Sequence, residues 1–413
     1  MNNKTRYVVL YSKYSDLENM VPIVNELLKT ERSCTAVFIF YGNDLNPLNQ
    51  RIIQWFQKKF QIRITHIDLN LFNSKIKSDF FIKILYKVLN RLRRNSFFYK
   101  IIENFQLDIL EKYLYSFTQQ DTYQNIKCFY GFSQRTIIEN TIKKFVNYDK
   151  IKWIRLPQGV ILTISPFRTT SNIHRPAYAA QYDNGLSNLC INSDSFYYDY
   201  SKSLLEKLGE KIEPETRVKF LGAPRFSKSW ISILDNEIFS DFKFSFPKNG
   251  KKNILFLLTP WKKNVWIEET ANVLELILKY DVNIIVKGFH GNTGITLNNK
   301  IIRDEQTPTT RLIKDADGII YIATSAILDA YMRNKEVLHL SYLHANSSIL
   351  NTYTECVEAH TRDEVHLYMN NFIKNGVFVD DQQLKQKTEK FIEERIVTKN
   401  WKYNYLNSIE QID

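Results

Sequence analysis

Two stretches decide the fold: Val282-Asn-Ile-Ile-Val-Lys-Gly-Phe-His290 and Gly318-Ile-Ile-Tyr-Ile-Ala-Thr-Ser325. Each is a short apolar run that closes on polar residues. Runs of this length rich in Ile and Val, with a turn directly behind them, read as strands buried on both faces, which is the signature of a parallel sheet. In an open parallel sheet the ligand crevice lies beyond the carboxyl ends of the strands. Lys287, His290, Thr324 and Ser325 therefore collect where a ligand binds, and a cation, an imidazole and two hydroxyls suit a phosphorylated nucleotide.

Working outward, the second half of the chain continues the alternation. Strand patterns at Asn253 to Leu258 and Val337 to Leu340 are interleaved with helix patterns at Trp266 to Lys279, Thr309 to Lys314 and Ser325 to Arg333. The first half repeats the arrangement. Strands are expected at Val8 to Tyr11, Ala36 to Phe40, Arg63 to Ile67, Lys127 to Tyr130, Lys152 to Leu156 and Arg217 to Leu221, and helices at Asp16 to Leu28, Leu48 to Phe60, Asp79 to Leu114 and Arg135 to Phe145. Such βαβ series imply an α/β fold with two Rossmann-like domains facing across a cleft. Ser227 to Gly250 is less regular and ends in the turn cluster Phe246-Pro-Lys-Asn-Gly250. The expected division is residues 1–235 for the first domain, 236–250 for a linker, 251–385 for the second domain and 386–413 for a helical end. No internal repeat or low-complexity tract interrupts this plan.

The length of 413 residues suffices for two cores of ordinary size. With 44% hydrophobic and 24% charged residues the composition is that of a folded globular chain, which excludes a disordered or fibrous one. No segment approaches the roughly 18 uninterrupted apolar residues of a membrane span, and no signal-peptide pattern opens the chain, so a cytoplasmic location is expected. Cys34, Cys128, Cys190 and Cys356 are dispersed without metal-ligand spacing and read as four buried, reduced thiols. The net charge of +12 favours anionic partners. Part of that excess lies in residues 75–100, where Lys75, Lys83, Lys87, Arg91, Arg93 and Arg94 alternate with Phe80, Phe81, Ile84, Val88 and Leu92. This pattern fits a core-packed helix with a solvated basic face, or a helix lying on an anionic membrane surface. No nucleic-acid-binding motif accompanies the charge.

Other candidates are single residues at strand ends or in loops. Thr259 follows the first strand of the second series, and Asp329 lies one helical turn beyond Ser325, placed to accept from a ribose or base. In the first series Gln158 occupies the turn Pro157-Gln158-Gly159. Asp183 in Asp183-Asn184-Gly185 is the nearest source of a carboxylate, with an ordinary Asn-Gly turn as its structural reading; Glu139 is a second acidic candidate. His174 sits in a long loop beside Arg168 and Arg175, and Arg225 closes the turn Gly222-Ala-Pro-Arg225.

In this order the pieces resemble the GT-B glycosyltransferases of bacterial capsule, lipopolysaccharide and teichoic acid synthesis. Bacterial sialyltransferases and Kdo transferases carry an acidic-acidic-Gly motif, then a His-Pro motif and a Ser/Thr-Ser motif that hold cytidine monophosphate. Asp183-Asn184-Gly185, His290 and Thr324-Ser325 are the counterparts here, with Gly291 in place of the proline. The glycerophosphotransferases that use CDP-glycerol are similar through Gly222-Ala-Pro-Arg225 and Lys287-Gly-Phe-His290, but Gln158 stands where their catalytic histidine is expected. The resemblance implies a metal-independent glycosyltransferase without a bound cofactor. Its donor would be a CMP-sugar and its acceptor a glycan or lipid-linked glycan. Asp183 and His290 would be catalytic; Thr259, Lys287, His290, Thr324, Ser325 and Asp329 would line the donor site, and Gln158, His174 and Arg225 the acceptor side. The alternatives are CDP-glycerol phosphotransfer and UDP-sugar transfer or epimerisation.

Overall fold

A computed structural model describes residues 4–31, 33–42, 47–69, 96–119, 123–131, 141, 144–145, 150–156, 163–164, 194–197, 218–242, 246–259, 265–288, 298–304, 306–345, 347–348, 350, 354 and 356–411. The chain divides into two compact units. One draws on Met1–Gly159, Asn184–Arg225 and Asn400–Asp413, the other on Val160–Asp183 and Phe226–Lys399.

The first unit is built on seven parallel strands: β1 (Lys4–Tyr11), β2 (Thr35–Phe40), β3 (Ile64–Asp68), β4 (Tyr123–Gly131), β5 (Ile151–Leu156), β7 (Asp194–Tyr197) and β8 (Val218–Phe220), in the order β3-β2-β1-β4-β5-β7-β8. β1 is central because Tyr7 to Tyr11 is apolar on both faces, and all five residues are buried. Helix α1 (Tyr14–Thr30) lays Leu17, Met20, Val21, Val24, Leu27 and Leu28 against the sheet at intervals of one, three and four residues, giving a wide apolar stripe. Helix α2 (Pro47–Phe60) does the same with Ile52, Ile53 and Phe56. On the other side α3 (Ser96–Thr118) supplies Ile109, Leu110 and Leu114 to a core containing Val8, Leu10, Ile39, Cys128 and Trp153. Each such side chain, fully buried, contributes about 1.5–3 kcal/mol.

The second unit carries six parallel strands in the order β11-β10-β9-β12-β13-β15: β9 (Lys252–Leu257), β10 (Val282–Lys287), β11 (Ile302–Arg303), β12 (Gly318–Tyr321), β13 (Glu336–Leu340) and β15 (Glu358–Ala359). A separate antiparallel pair joins β6 (Thr163–Ile164) to β14 (Ser347–Ser348). Helices α5 (Ile267–Ile277) and α8 (Arg362–Asn375) cover one face through Val273, Leu274, Ile277, Val365, Met369 and Phe372. β12 opens on Gly318 because a Cβ there would lie 2.7 Å from the Phe372 ring, which stacks on Phe378.

The expected α/β class with two parallel sheets is what forms, and most expected strands and helices appear within one to four residues of their predicted ends. The division of the chain differs from the expected one. Ser227 to Asp235 does not belong to the first unit, nor does the expected linker begin at Asn236: helix α4 (Lys228–Ile233) and the π-helical turn after it bury Trp230, Ile231, Leu234 and Ile238 in the second unit. The helical end also splits. Helix α9 (Gln382–Phe391) and the residues to Lys399 stay with the second unit, whereas α10 (Trp401–Glu410) returns to the first. There Tyr405 donates to the Gly222 carbonyl at 2.7 Å, and the buried Lys127 ammonium donates to the Ile409 carbonyl at 2.5 Å. A cation at a helix carboxyl terminus is also favoured by the helix dipole. Cys34 and Cys128 are buried thiols as expected, but Cys356 is only half-buried; Cys190 lies outside the described residues. So do residues 70–95, most of the basic segment. No helix among the described residues is long and apolar enough to cross a membrane.

Candidate functional site

In the second unit the strand order reverses between β9 and β12, so the crevice expected of an open parallel sheet lies beyond Leu258 and Ile322. Thr259 bridges that point. Its hydroxyl donates to the Ala323 carbonyl at 2.8 Å and accepts from the Ala323 amide at 3.0 Å, which prolongs the strand pairing by one side chain. At 4% exposure Thr259 is a brace that fixes the next turn; its hydroxyl does not face the crevice as expected. Beyond it, Ala323, Thr324, Ser325 and Ala326 are half-buried between the buried Ile322 and Ile327, so Thr324 and Ser325 form the accessible part of this edge. The Thr324 hydroxyl accepts from the Ala326 amide at 3.3 Å and shapes the turn into α7 (Ile327–Met332).

Lys287 ends β10 in register with Leu257, and its ammonium donates to the Thr307 carbonyl at 2.7 Å. The acceptor loop is itself held by Asp304, which receives the Thr307 amide at 2.8 Å and the Thr307 hydroxyl at 2.5 Å. Lys287 thus ties the strand end to the loop before α6 (Thr309–Asp315). His290 lies outside the described residues. Asp329 is not presented to a ribose: it is buried and receives Arg333 Nε at 2.7 Å. Arg333 also meets Thr310 at 2.8 Å and grips both carboxylate oxygens of Asp235. Burial raises the Asp329 carboxyl above its ordinary range while Arg333 pulls the other way. Asp235 comes from the stretch expected to be a linker boundary, which is why sequence reading missed this network.

The corresponding reversal in the first unit lies between β1 and β4. Here Asp16, in the first turn of α1, accepts from the Ser12 amide at 3.1 Å and the Ser12 hydroxyl at 2.8 Å and is 1% exposed. A Cβ on Gly131, at the end of β4, would come within 3.1 Å of Asp16, and one on Gly42 within 2.1 Å of the Ser12 carbonyl. At Gly42 the backbone passes so close that only glycine fits, whereas at Gly131 the Asp16 carboxylate packs tightly against the chain. Nearby, the Tyr11 hydroxyl lies 2.8 Å from His66 Nε2, and burial lowers His66 to about 4, so its ring is neutral at pH 7. Arg225 pairs with Glu18 of α1 at 2.9 Å, within the same unit. Gln158, His174, Asp183 and Glu139 lie outside the described residues.

Another group at the second unit's carboxyl edge, His339, Cys356 and Glu358, escaped sequence reading because β15 is a two-residue strand.

No protein-family model and no curated protein sequence matches the chain. Solved structures do. The UDP-GlcNAc 2-epimerase from Neisseria meningitidis bound to UDP-GlcNAc superposes with a TM-score of 0.54 at 13% identity, covering 99% of this chain and 100% of that one. TarM gives 0.54 at 12% identity over 100% and 99%. A variant of the wall teichoic acid polymerase TagF gives 0.52 at 12% identity over 99% and 89%. At such identities the likeness establishes the fold: two Rossmann-like parallel-sheet domains of the GT-B type.

Proposed function

We propose that this protein is a glycosyltransferase of bacterial surface polysaccharide synthesis that takes its sugar from a nucleotide-activated donor. The observation that carries the reading is the accessible Thr324-Ser325 turn at the strand-order reversal of the second sheet. It is braced from beneath by Thr259, and Lys287 ends a strand on the same edge. Hydroxyls and backbone amides in such a place suit phosphate or ribose oxygens. The GT-B fold is consistent with this, since one of the similar structures holds UDP-GlcNAc.

The sequence resemblance favours a cytidine nucleotide, with a CMP-sugar as donor and a capsule, lipopolysaccharide or lipid-linked glycan as acceptor. In this proposal Thr324 and Ser325 fix the nucleotide. His290 and Lys287 neutralise the phosphate as the anomeric carbon–oxygen bond breaks. Asp183 takes the proton of the acceptor hydroxyl, or attacks the anomeric carbon in a retaining mechanism, and no metal enters the transfer. Gln158 and His174 contact the acceptor, and Arg225 holds its turn in place through Glu18. The enzyme works in the cytoplasm, with residues 75–100 reaching an anionic membrane surface. The same fold in two UDP-GlcNAc 2-epimerases favours a second reading, epimerisation of a UDP-sugar.

Thermal unfolding against CMP, CDP, UMP, UDP, GDP and ADP tests these readings. A ligand at a hundredfold over its dissociation constant adds about 2.7 kcal/mol to the folded state, which moves the melting temperature by a few degrees. CMP is expected to give the largest shift. A UDP response moves the assignment to the second reading, a CDP response to glycerophosphotransfer, and silence across the panel removes the nucleotide-dependent function. Asp183→Ala is expected to abolish transfer with nucleotide binding retained.

A further inference from the structure

Across the second sheet one register row runs Lys287, Leu257, Tyr321, His339, Glu358. Its last two members are in contact: His339 Nδ1 lies 2.6 Å from Glu358 Oε1. The other ring nitrogen, Nε2, lies 2.8 Å from the Ile322 carbonyl oxygen. A carbonyl only accepts, so Nε2 carries the hydrogen. In a neutral ring Nδ1 then presents a lone pair, and it presents it to a carboxylate. A proton shared between the two groups fills that contact, and a metal ion that displaces it takes the same two atoms as ligands.

A second imidazole repeats the arrangement. The Ser341 hydroxyl donates to the Ala359 carbonyl at 3.0 Å, so at 3.0 Å from His360 Nδ1 it accepts the ring N–H. That leaves the lone pair of His360 on Nε2, 3.9 Å from Glu358 Oε2. Two residues before Glu358, and therefore on its side of an extended chain, the Cys356 sulfur lies 3.8 Å from Oε1. The ligand atoms of His339, Cys356 and Glu358 all fall within 4.8 Å of one another.

The interior beside the thiol supplies an independent sign. Tyr321, stacked on His339 at 4.6 Å, and Tyr331 from α7 bring their hydroxyls next to Cys356. Both residues are buried, and their hydroxyls face each other and the Cys356 sulfur. A thiolate there is a stronger acceptor for the two hydroxyls than a neutral thiol. Metal-ligating imidazoles usually donate their other N–H to a carbonyl, carboxylate or water, as His339 does to the Ile322 carbonyl.

We propose that His339 Nδ1, Cys356 Sγ and Glu358, with water in the fourth position, bind a divalent transition-metal ion of the zinc class. A nitrogen, sulfur and oxygen donor set with four positions suits that ion. Binding forms the metal–sulfur, metal–nitrogen and metal–oxygen bonds and releases to solvent the thiol proton and the proton shared by His339 and Glu358. The ion ties β13 to β15 and, through the Ile322 carbonyl on His339, stiffens the strand end that leads to Thr324. It is a brace, separate from the transfer chemistry proposed above and independent of it.

The test uses the full-length protein, stripped with a chelator and titrated with Co²⁺, then displaced by Zn²⁺. One equivalent per chain is expected, with the near-ultraviolet absorption of a thiolate–cobalt bond and a zinc-dependent rise of several degrees in melting temperature. Cys356→Ser is expected to lose the absorption, and Glu358→Gln to weaken cobalt binding by about tenfold. Failure of the native protein to bind cobalt overturns the proposal without recourse to any variant, as does an unchanged absorption in Cys356→Ser. Imidazole NMR of the stripped protein gives the remaining alternative: a His339 ring bearing both protons at pH 7, unmoved by zinc, identifies a buried imidazolium–carboxylate pair and overturns the metal.

Discussion

The two sheets share a strand order and differ at the point where it reverses. In the first unit the reversal is filled by the protein itself: Asp16 closes on Ser12 and packs against Gly131 at the end of β4, and 1% of Asp16 reaches solvent. In the second unit Thr259 and Ala323 seal the floor and leave Thr324 and Ser325 half-exposed above it. Topology therefore fixes where a crevice falls, while two or three side chains decide whether it is open. A buried carboxylate at such a position is a structural cap, and accessible hydroxyls are the better pointer to a ligand.

The largest effect is expected from Arg333→Ala. It leaves Asp329 and Asp235 without their shared cation in a nearly buried place, which costs about 3–5 kcal/mol. Native-state hydrogen exchange should show the loss in β12 and β13 and not in β1 or β4. An equal loss in both units would break the comparison, because the two would then unfold as one.

Next comes pH. His66 titrates near 4 when folded and near 6.5 when unfolded, so the unfolded chain takes up the proton first as pH falls. The first unit keeps this contribution in full above pH 6.5 and loses about 3 kcal/mol on going down to pH 4. Urea unfolding of His66→Gln against the native protein should give a flatter profile over that window.

Asp16→Ala and Thr259→Val test the two reversal points directly. The first leaves the Ser12 donors unmatched and is expected to cost about 2 kcal/mol; the second strands one amide and one carbonyl of Ala323, at about 1–3 kcal/mol. Only Thr259→Val should weaken nucleotide binding. Equal effects on binding would place both edges in the site. The smallest change is Thr361→Ala, which removes the N-cap of α8, where the hydroxyl receives the Glu364 amide at 3.2 Å, and should cost about 1 kcal/mol in urea unfolding.

What the sequence carried was local. Apolar runs such as Val8 to Tyr11 and Val282 to Val286 announced strands, and polar residues behind them announced the edge. The spacing of Trp230, Ile231, Leu234 and Ile238 was equally a helix face, although the Pro-Asn-Gly punctuation downstream suggested a linker. Long-range partners were not readable. The hydroxyl of Thr259 meets Ala323, Asp235 meets Arg333 and Glu358 meets His339 only because separate strands and helices bring them together. The i, i+4 spacing of Asp329 and Arg333 permits a salt bridge, yet sequence reading points Asp329 toward a ribose or base. What turned that bridge inward was burial, which sequence spacing does not report.

The return of α10 to the first unit sets an order of events during synthesis. Lys127 and Gly222 are made early, yet the Ile409 carbonyl and Tyr405 hydroxyl that meet them emerge from the ribosome only after residues 226–399. Until then a nascent first unit has neither of these two contacts, while the second unit is free to fold. In a chain that assembles domain by domain from its amino end, this protein is built to finish its first domain last.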